Sequence, residues 1–270
     1  MITTIIAAAL SCATFFAAHS AAGWGAGWST VCALVAFVAV QASVGLRLRK
    51  AVMADMQRVQ NIMQDGQKRL QAKMQRWQIR PPGSVQAAQK EILEDTRVFV
   101  AEAAKAADRI MRFRLWIPAI ARQAATAKVQ LFWMAKDFKK VDEAMPKAIM
   151  ADPSLFAMKM ARMQMLGRPL EEIGKVYAKS ASRFRRYNAN VLPAACWTWI
   201  LMKHDKADEA FKALGAALEH SDDQTLKHNR EALMNNRPAQ FTNSGLADKW
   251  YALFLEEPRI RMQRQRQVFR

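Results

Sequence analysis

The chain opens on two unbroken apolar runs, passes into heptad-like alternation, and then breaks into short amphipathic segments at helical spacing. The runs extend from Ile2 to Ala22 and from Trp28 to Leu46. Each approaches the ~20 residues that a helix needs to cross a ~30 Å hydrocarbon core. The glycines at 23, 25 and 27, with Trp24 and Trp28, predict a turn between them at a membrane interface, where tryptophan rings are favoured. From Ala51 to Ile79 the apolar positions Val52, Met56, Val59, Met63, Gly66 and Leu70 recur in steps of 4 and 3, with Trp77 one heptad beyond Leu70. Lys73 interrupts the rhythm, and Met74 is expected to take over the seam. A period of 3.5 lays one stripe against a partner helix. This helix is expected to continue out of the second apolar run without a break.

Arg80-Pro81-Pro82-Gly83 ends it, because proline cannot continue a helix, and Ser84 is a suitable N-cap for the next. The second helix is predicted from Val85 to Arg114, with Ala88, Ile92, Thr96, Phe99, Ala103, Ala106, Ile110 and Phe113 on one face. Two arrangements fit: an antiparallel intramolecular hairpin, or a parallel homodimeric coiled coil through the first helix. Gly66 and Lys73 in the seam weaken a zipper and favour the hairpin. At Leu115-Trp116-Ile117-Pro118 the helix must kink or restart.

Beyond that break a pattern recurs. Phe138, Val141, Met145, Ala148 and Pro153 follow one another at intervals of 3, 4, 3 and 5. The same intervals connect Leu170, Ile173, Tyr177, Ser180 and Arg185, and again Ala207, Ala210, Leu214, Ala217 and Asp222. Each copy follows a predicted helix, at about 121–136, 155–166 and 190–203. The first copy, opened by Asp137-Phe138, resembles the second helix of a tetratricopeptide repeat, and the spacing of the copies brackets the ~34-residue period of that family. The resemblance covers roughly residues 121–222 and implies stacked helix pairs. A helix is predicted at 224–234, then a polar loop at 235–245. A closing helix from Leu246 to Leu255, rich in aromatic residues, is expected to dock over the array.

The predicted fold is therefore all-α. It comprises a transmembrane helix pair (1–46), a basic amphipathic helical hairpin (47–118), a tetratricopeptide-like repeat array (119–222), capping helices (223–258) and a basic tail (259–270). Two N-terminal spans followed by such repeats look like the HemY-type inner-membrane organisation. That likeness is one of layout alone, with no shared motif that would carry a haem-related role.

Charge sharpens the division. The first 46 residues contain no Asp, Glu, Lys or Arg, so the whole net charge of +18 lies beyond them. Arg47, Arg49 and Lys50 directly follow the second run, which predicts a cytoplasmic domain on a membrane anchor, with a bacterial inner membrane the expected site. A cleaved signal sequence followed by one span is the alternative. Ala18-His19-Ser20 would tolerate cleavage, but the basic start of a signal is missing. Cys12 lacks the context of a lipoprotein site for the same reason. In the tail, Arg259, Arg261, Arg264, Arg266 and Arg270 have no acidic neighbour and, with Arg47, Arg49 and Lys50, are the candidates for contact with anionic lipid or nucleic acid.

Little points to catalysis. The sequence contains no phosphate-binding loop, no HExxH and no Cys-x-x-Cys, and Cys12, Cys32 and Cys196 are too scattered for a zinc site or a disulfide framework. His204, His220 and His228 are expected at helix ends or on polar faces. Glu171-Glu172 and Asp222-Asp223 are expected at helix N-termini, where the helix dipole favours them. No catalytic residue, cofactor or metal is predicted. The tetratricopeptide resemblance implies instead a groove lined by the first helix of each pair. Gln130, Trp133, Met134, Arg162, Met165, Trp199, Met202 and Lys203 would meet a protein or peptide partner with acidic and apolar side chains.

Overall fold

A computed structural model of the chain describes residues 2–23, 25–79, 83–185 and 189–257. These residues are all helix, turn and loop, as predicted, and they form two compact units, Met1–Ile149 and Met150–Arg270. The predicted breaker Arg80-Pro81-Pro82, the interfacial Trp24 and the basic tail lie outside the described residues.

In the first unit, α1 (Ile2–Phe16) closes with a π-helical turn at Ala17–Ala21 and packs on α2 (Ala26–Ile79). Both are long and apolar enough to cross a membrane. Where α1 and α2 face away from each other they leave Ile5, Phe16, Trp28, Leu34, Val35 and Leu46 exposed. The second helix is one continuous element of 54 residues, about 80 Å long, that carries the chain from the apolar run into the heptad region.

Helix α3 (Val85–Asp108) starts at Ser84, whose Oγ accepts the Ala87 N–H, and then folds back along α2. Lys73 reaches Asp95, Gly66 lies under Phe99 and Asp55 meets Arg112, so the residue numbers run in opposite directions. The two helices form an antiparallel hairpin within one chain. Val59, Phe99, Val100, Ala103 and Ala107 are its buried seam, with Ile62, Met63 and Leu70 half-buried beside them. The expectation for Lys73 and Met74 is reversed. Lys73 stays in the seam, held 2.6 Å from both Glu91 and Asp95, while Met74 points outward. The rhythm continues through Lys73 because α3 supplies carboxylates where an apolar partner would otherwise stand. The α-helical part of α3 is also shorter than predicted, tightening into a 3₁₀ turn at Arg109–Phe113.

Helices α4 (Ile120–Met134) and α5 (Phe138–Ala144) complete this unit. Asp137 caps α5, and its hydrogen bond with Lys140 holds its carboxyl below the usual carboxylate range. Helix α5 is brief because Pro146 converts its end to a 3₁₀ turn at Met145–Lys147. The repeat copy that looked best in sequence thus has the shortest second helix. Its last position, Pro153, instead opens the following helix behind the Asp152 cap.

The second unit contains α6 (Pro153–Met165), α7 (Leu170–Phe184), α8 (Val191–Lys203), α9 (Ala207–Leu218) and α10 (Gln224–Met234). Neighbours in sequence pack together, and α6 also packs on α8. The Cys196 thiol lies 3.7 Å from the Ala157 carbonyl, and His204 lies 3.2 Å from Gln164. Since both pairs advance together, α6 and α8 are parallel and in step.

The predicted closing helix is corrected to a single turn, α11 (Asp248–Tyr251), after a 3₁₀ turn at Ser244–Leu246. Left-handed backbone at Ala247 and Phe254 bends the segment at both ends. Those bends let Trp250 and Leu253 both enter the core, as the aromatic content required. Buried Asn229 and Asn243 fix the approach. Asn229 Nδ2 donates to Asn243 Oδ1 at 2.8 Å, Asn243 Nδ2 donates to the Ala195 carbonyl, and the Thr242 N–H donates to Asn229 Oδ1.

Candidate functional site

The eight residues predicted to line a groove divide between the two units, three in the first and five in the second. In the first, Trp133 is 1% exposed and packs edge-to-face on Phe138, so it belongs to the core. Gln130 and Met134 are exposed on α4. In the second, Met165 and Lys203 are exposed and Arg162 and Met202 are half-buried. The Gln164–His204 contact sets side by side the C-terminal turns of α6 and α8 that carry these four residues.

Trp199 is buried. Its indole N–H donates to one oxygen of Glu256 at 2.7 Å, while Trp250 donates to the other at 2.8 Å. The two rings meet edge-on 5.9 Å apart, and Lys203 lies over Trp199 at 5.1 Å. The C-terminal segment therefore covers the ring that the repeat resemblance would place in a groove.

The cleft beside α4 lies on a face that helical spacing alone did not select. Helix α4 is buried on two sides, through Ala124 and Leu131 on one and Val129 and Trp133 on the other. Two strips remain between those sides. One holds Gln130 and Met134. The other holds Ala121, Ala125, Lys128 and Phe132, spaced 4, 3 and 4, and borders a cleft of about 760 Å³ against α5. Alanines 121, 124, 125 and 144 line the cleft together with Arg122, Lys128, Lys140, Lys147, Asp108 and Glu143. Lys128 is paired with Asp108, and Lys140 with Asp137 while lying 5.4 Å from the Phe132 ring. Arg122 and Lys147 make no ion pair among the described residues. The signal that could have located this cleft is the run of small residues Ala121, Ala124 and Ala125, beside which a second backbone or an extended ligand can come close.

A second cleft, of about 640 Å³, lies in the second unit among α7, α8, α9 and α10. Tyr177 stacks on Trp197, and burial pushes its hydroxyl up to about 12. Ser180 donates to Asn190 at 2.7 Å, Arg185 is bonded to His220, and the Ser221 hydroxyl accepts from the Asp223 N–H. The Ser180, Arg185, His220 and Ser221 side chains here are thus already engaged by the fold. Cys196 is fully buried, and desolvation pushes its thiol upward, away from the reactive thiolate. Among the described residues no three His, Cys, Asp or Glu side chains gather where they could hold a metal ion.

The juxtamembrane candidates Arg47, Arg49 and Lys50 are all exposed on α2 directly beyond its apolar stretch. The tail arginines, Arg259, Arg261, Arg264, Arg266 and Arg270, lie outside the described residues. No protein-family model, curated protein or solved structure matches the chain.

Proposed function

We propose that the chain is a membrane-tethered helical adaptor. In this reading α1 and the start of α2 are an anchor, and the rest of the chain is a cytoplasmic domain that recruits a protein partner. The observation that carries the reading is the continuity of α2. One helix extends from the apolar stretch, past Arg47, Arg49 and Lys50, to Ile79, and α3 stiffens it through the hairpin seam. An apolar stretch followed at once by exposed cations is how a span ends on the cytoplasmic side.

The tetratricopeptide-like character is part of the proposal, and repeated backbone turns support it. Helices α4, α6, α8 and α10 all end with a left-handed residue, at Lys136, Gly167, Asp205 and Asn236. In each case the next residue's N–H returns to a carbonyl five residues earlier: Asp137 to Phe132, Arg168 to Met163, Lys206 to Leu201 and Arg237 to Ala232. This is the Schellman closure. It recurs at intervals of 31, 38 and 31 residues (136 to 167, 167 to 205, 205 to 236). Parallel α6 and α8 fit successive first helices of stacked pairs.

The α4–α5 cleft is the surface best suited to a partner. Its small apolar floor and the cations Arg122 and Lys147 fit an extended or helical segment with acidic and apolar side chains. A photo-crosslinking residue at Ala125, in the full chain in native membranes, should trap one discrete protein adduct. Charge reversal by Arg122→Glu with Lys147→Glu should abolish it. Unchanged crosslinking after the reversal would remove this cleft from the reading.

A second reading is a tethered surface for polyanions. It is favoured by the distribution of charge: residues 47–149 carry 21 Lys and Arg against 10 Asp and Glu, whereas residues 150–257 carry 15 against 13. Salt-sensitive nucleic-acid binding by the full chain would promote it over the adaptor.

A further inference from the structure

The turn between α3 and α4 contains an unusual combination for a connection. Arg109, Arg112 and Arg114 alternate with apolar residues, and Leu115 beyond them is 59% exposed. Trp116 and Ile117 are half-buried. The turn is ordered by its own hydrogen bonds, with Trp116 and Ile117 both donating to the Phe113 carbonyl at 2.9 Å. Arg112 is committed to the fold, since it reaches the buried carboxylate of Asp55 at 2.7 Å. Arg109 and Arg114 make no ion pair among the described residues.

The hairpin register says where this turn stands along α2. Lys73 faces Asp95, Gly66 faces Phe99 and Asp55 faces Arg112, so each step forward along α3 is a step back along α2, toward its apolar stretch. The 3₁₀ turn at Arg109–Phe113 still packs on α2. Continuing the register places Leu115 level with about Val52. That is roughly 9 Å along the axis from Leu46, the last apolar residue before the Arg47, Arg49 and Lys50 cluster. A bilayer's polar layer is about 5–8 Å deep on each side of its hydrocarbon core. If the core ends at Leu46, the side chains of Leu115 and Trp116 need to bridge only a few ångströms to enter that layer.

We infer that the Arg109–Ile117 turn is a second membrane contact: an interfacial wedge that inserts Leu115 and Trp116 among anionic lipid headgroups while Arg114 pairs with their phosphates. The inference rests on the anchoring proposed above. Charge complementarity and position select this occupant. Four exposed cations, Arg47, Arg49, Lys50 and Arg114, stand along α2 just beyond the apolar stretch, and a tryptophan and an exposed leucine adjoin Arg114. Cations near an anionic leaflet and an amphipathic aromatic ring at its edge are the two features that hold a peripheral segment at an interface. With both helices of the hairpin held at its membrane-proximal end, α2 would leave the membrane at a fixed attitude rather than swing about a single span.

Hydrogen–deuterium exchange on the full chain reconstituted in nanodiscs tests this. One set contains phosphatidylcholine alone and the other a mixture with phosphatidylglycerol. Amides of residues 110–117 should exchange about tenfold or more slowly in the anionic discs than in the zwitterionic ones, and 0.5 M salt should remove most of the difference. The double variant Arg114→Gln, Leu115→Gln should lose the difference while exchange in residues 91–106 stays unchanged. Equal exchange in the two lipids, in a chain that co-migrates with the discs, would overturn the wedge and leave the anchor standing. A chain that fails to co-migrate with discs of either lipid would overturn both.

Discussion

At Gly66 the missing side chain is what lets the Phe99 ring lie across α2. A Cβ there would stand 2.4 Å from Phe99 Cγ, so the buried ring would have to shift. Gly66→Val should therefore cost about 2 kcal/mol through overpacking. Gly215→Ala, whose new Cβ would meet only Arg230 Nε at 3.9 Å, should gain about 0.5–1 kcal/mol from helix propensity. Thermal unfolding of the purified chain checks both, and a stabilised Gly66→Val would refute the packing described. Glu256 acts at the other end of the chain by accepting both indole N–H groups. Glu256→Ala should lower stability by about 2 kcal/mol. It should also shift tryptophan emission to the red as Trp250 and Trp199 open to water. An unshifted spectrum would mean that the bridge is not formed in solution.

The hairpin shows what an element can disclose from pattern and what it cannot. Heptad spacing placed Val59, Gly66 and Leu70 on the seam, and Ser84 marked the start of α3. It could not retain Lys73 there, because the reason lies on the other helix, in Glu91 and Asp95. Hydrogen bonds to Asp95 and then Glu91 raise the Lys73 pKa above its ordinary value. A raised pKa contributes stability that is complete below the unfolded value of 10.5 and is lost as pH rises through the folded one. The native hairpin should lose stability in that alkaline window, whereas Lys73→Met should show no such loss. Unfolding curves at pH 9 and above that superimpose for the two proteins would exclude the pairing. The short helices were equally legible: α6, α7, α8 and α10 lie within a residue or two of their sequence expectations, because caps, glycine and proline mark their ends. The candidate site was less so. One helix's periodicity identifies a face but not how many neighbours cover it. It does not show that α4 is buried on two sides, which takes Trp133 into the core, or that the C-terminal segment covers Trp199. The closing segment misled for the same reason, since its bends answer to Asn229, Asn243 and Glu256 rather than to local propensity.

Over the whole molecule, the governing feature is an uncharged start joined by a single helix to a strongly basic body. The first 46 residues contain no Asp, Glu, Lys or Arg, yet the chain's net charge is +18. The exposed apolar faces of α1 and the first part of α2 gain nothing in water, where burying each large side chain is worth about 1.5–3 kcal/mol. In lipid those same faces would be solvated, and the Arg47, Arg49 and Lys50 cluster would fall where the headgroups begin. The adaptor reading, the polyanion reading and the wedge at Arg109–Ile117 all depend on this placement. Alkaline carbonate extraction of membranes containing the full chain, with intact-mass analysis of each fraction, tests it most directly. The chain should stay in the membrane pellet with residues 2–22 still attached. Recovery of the chain in the alkaline supernatant would contradict it.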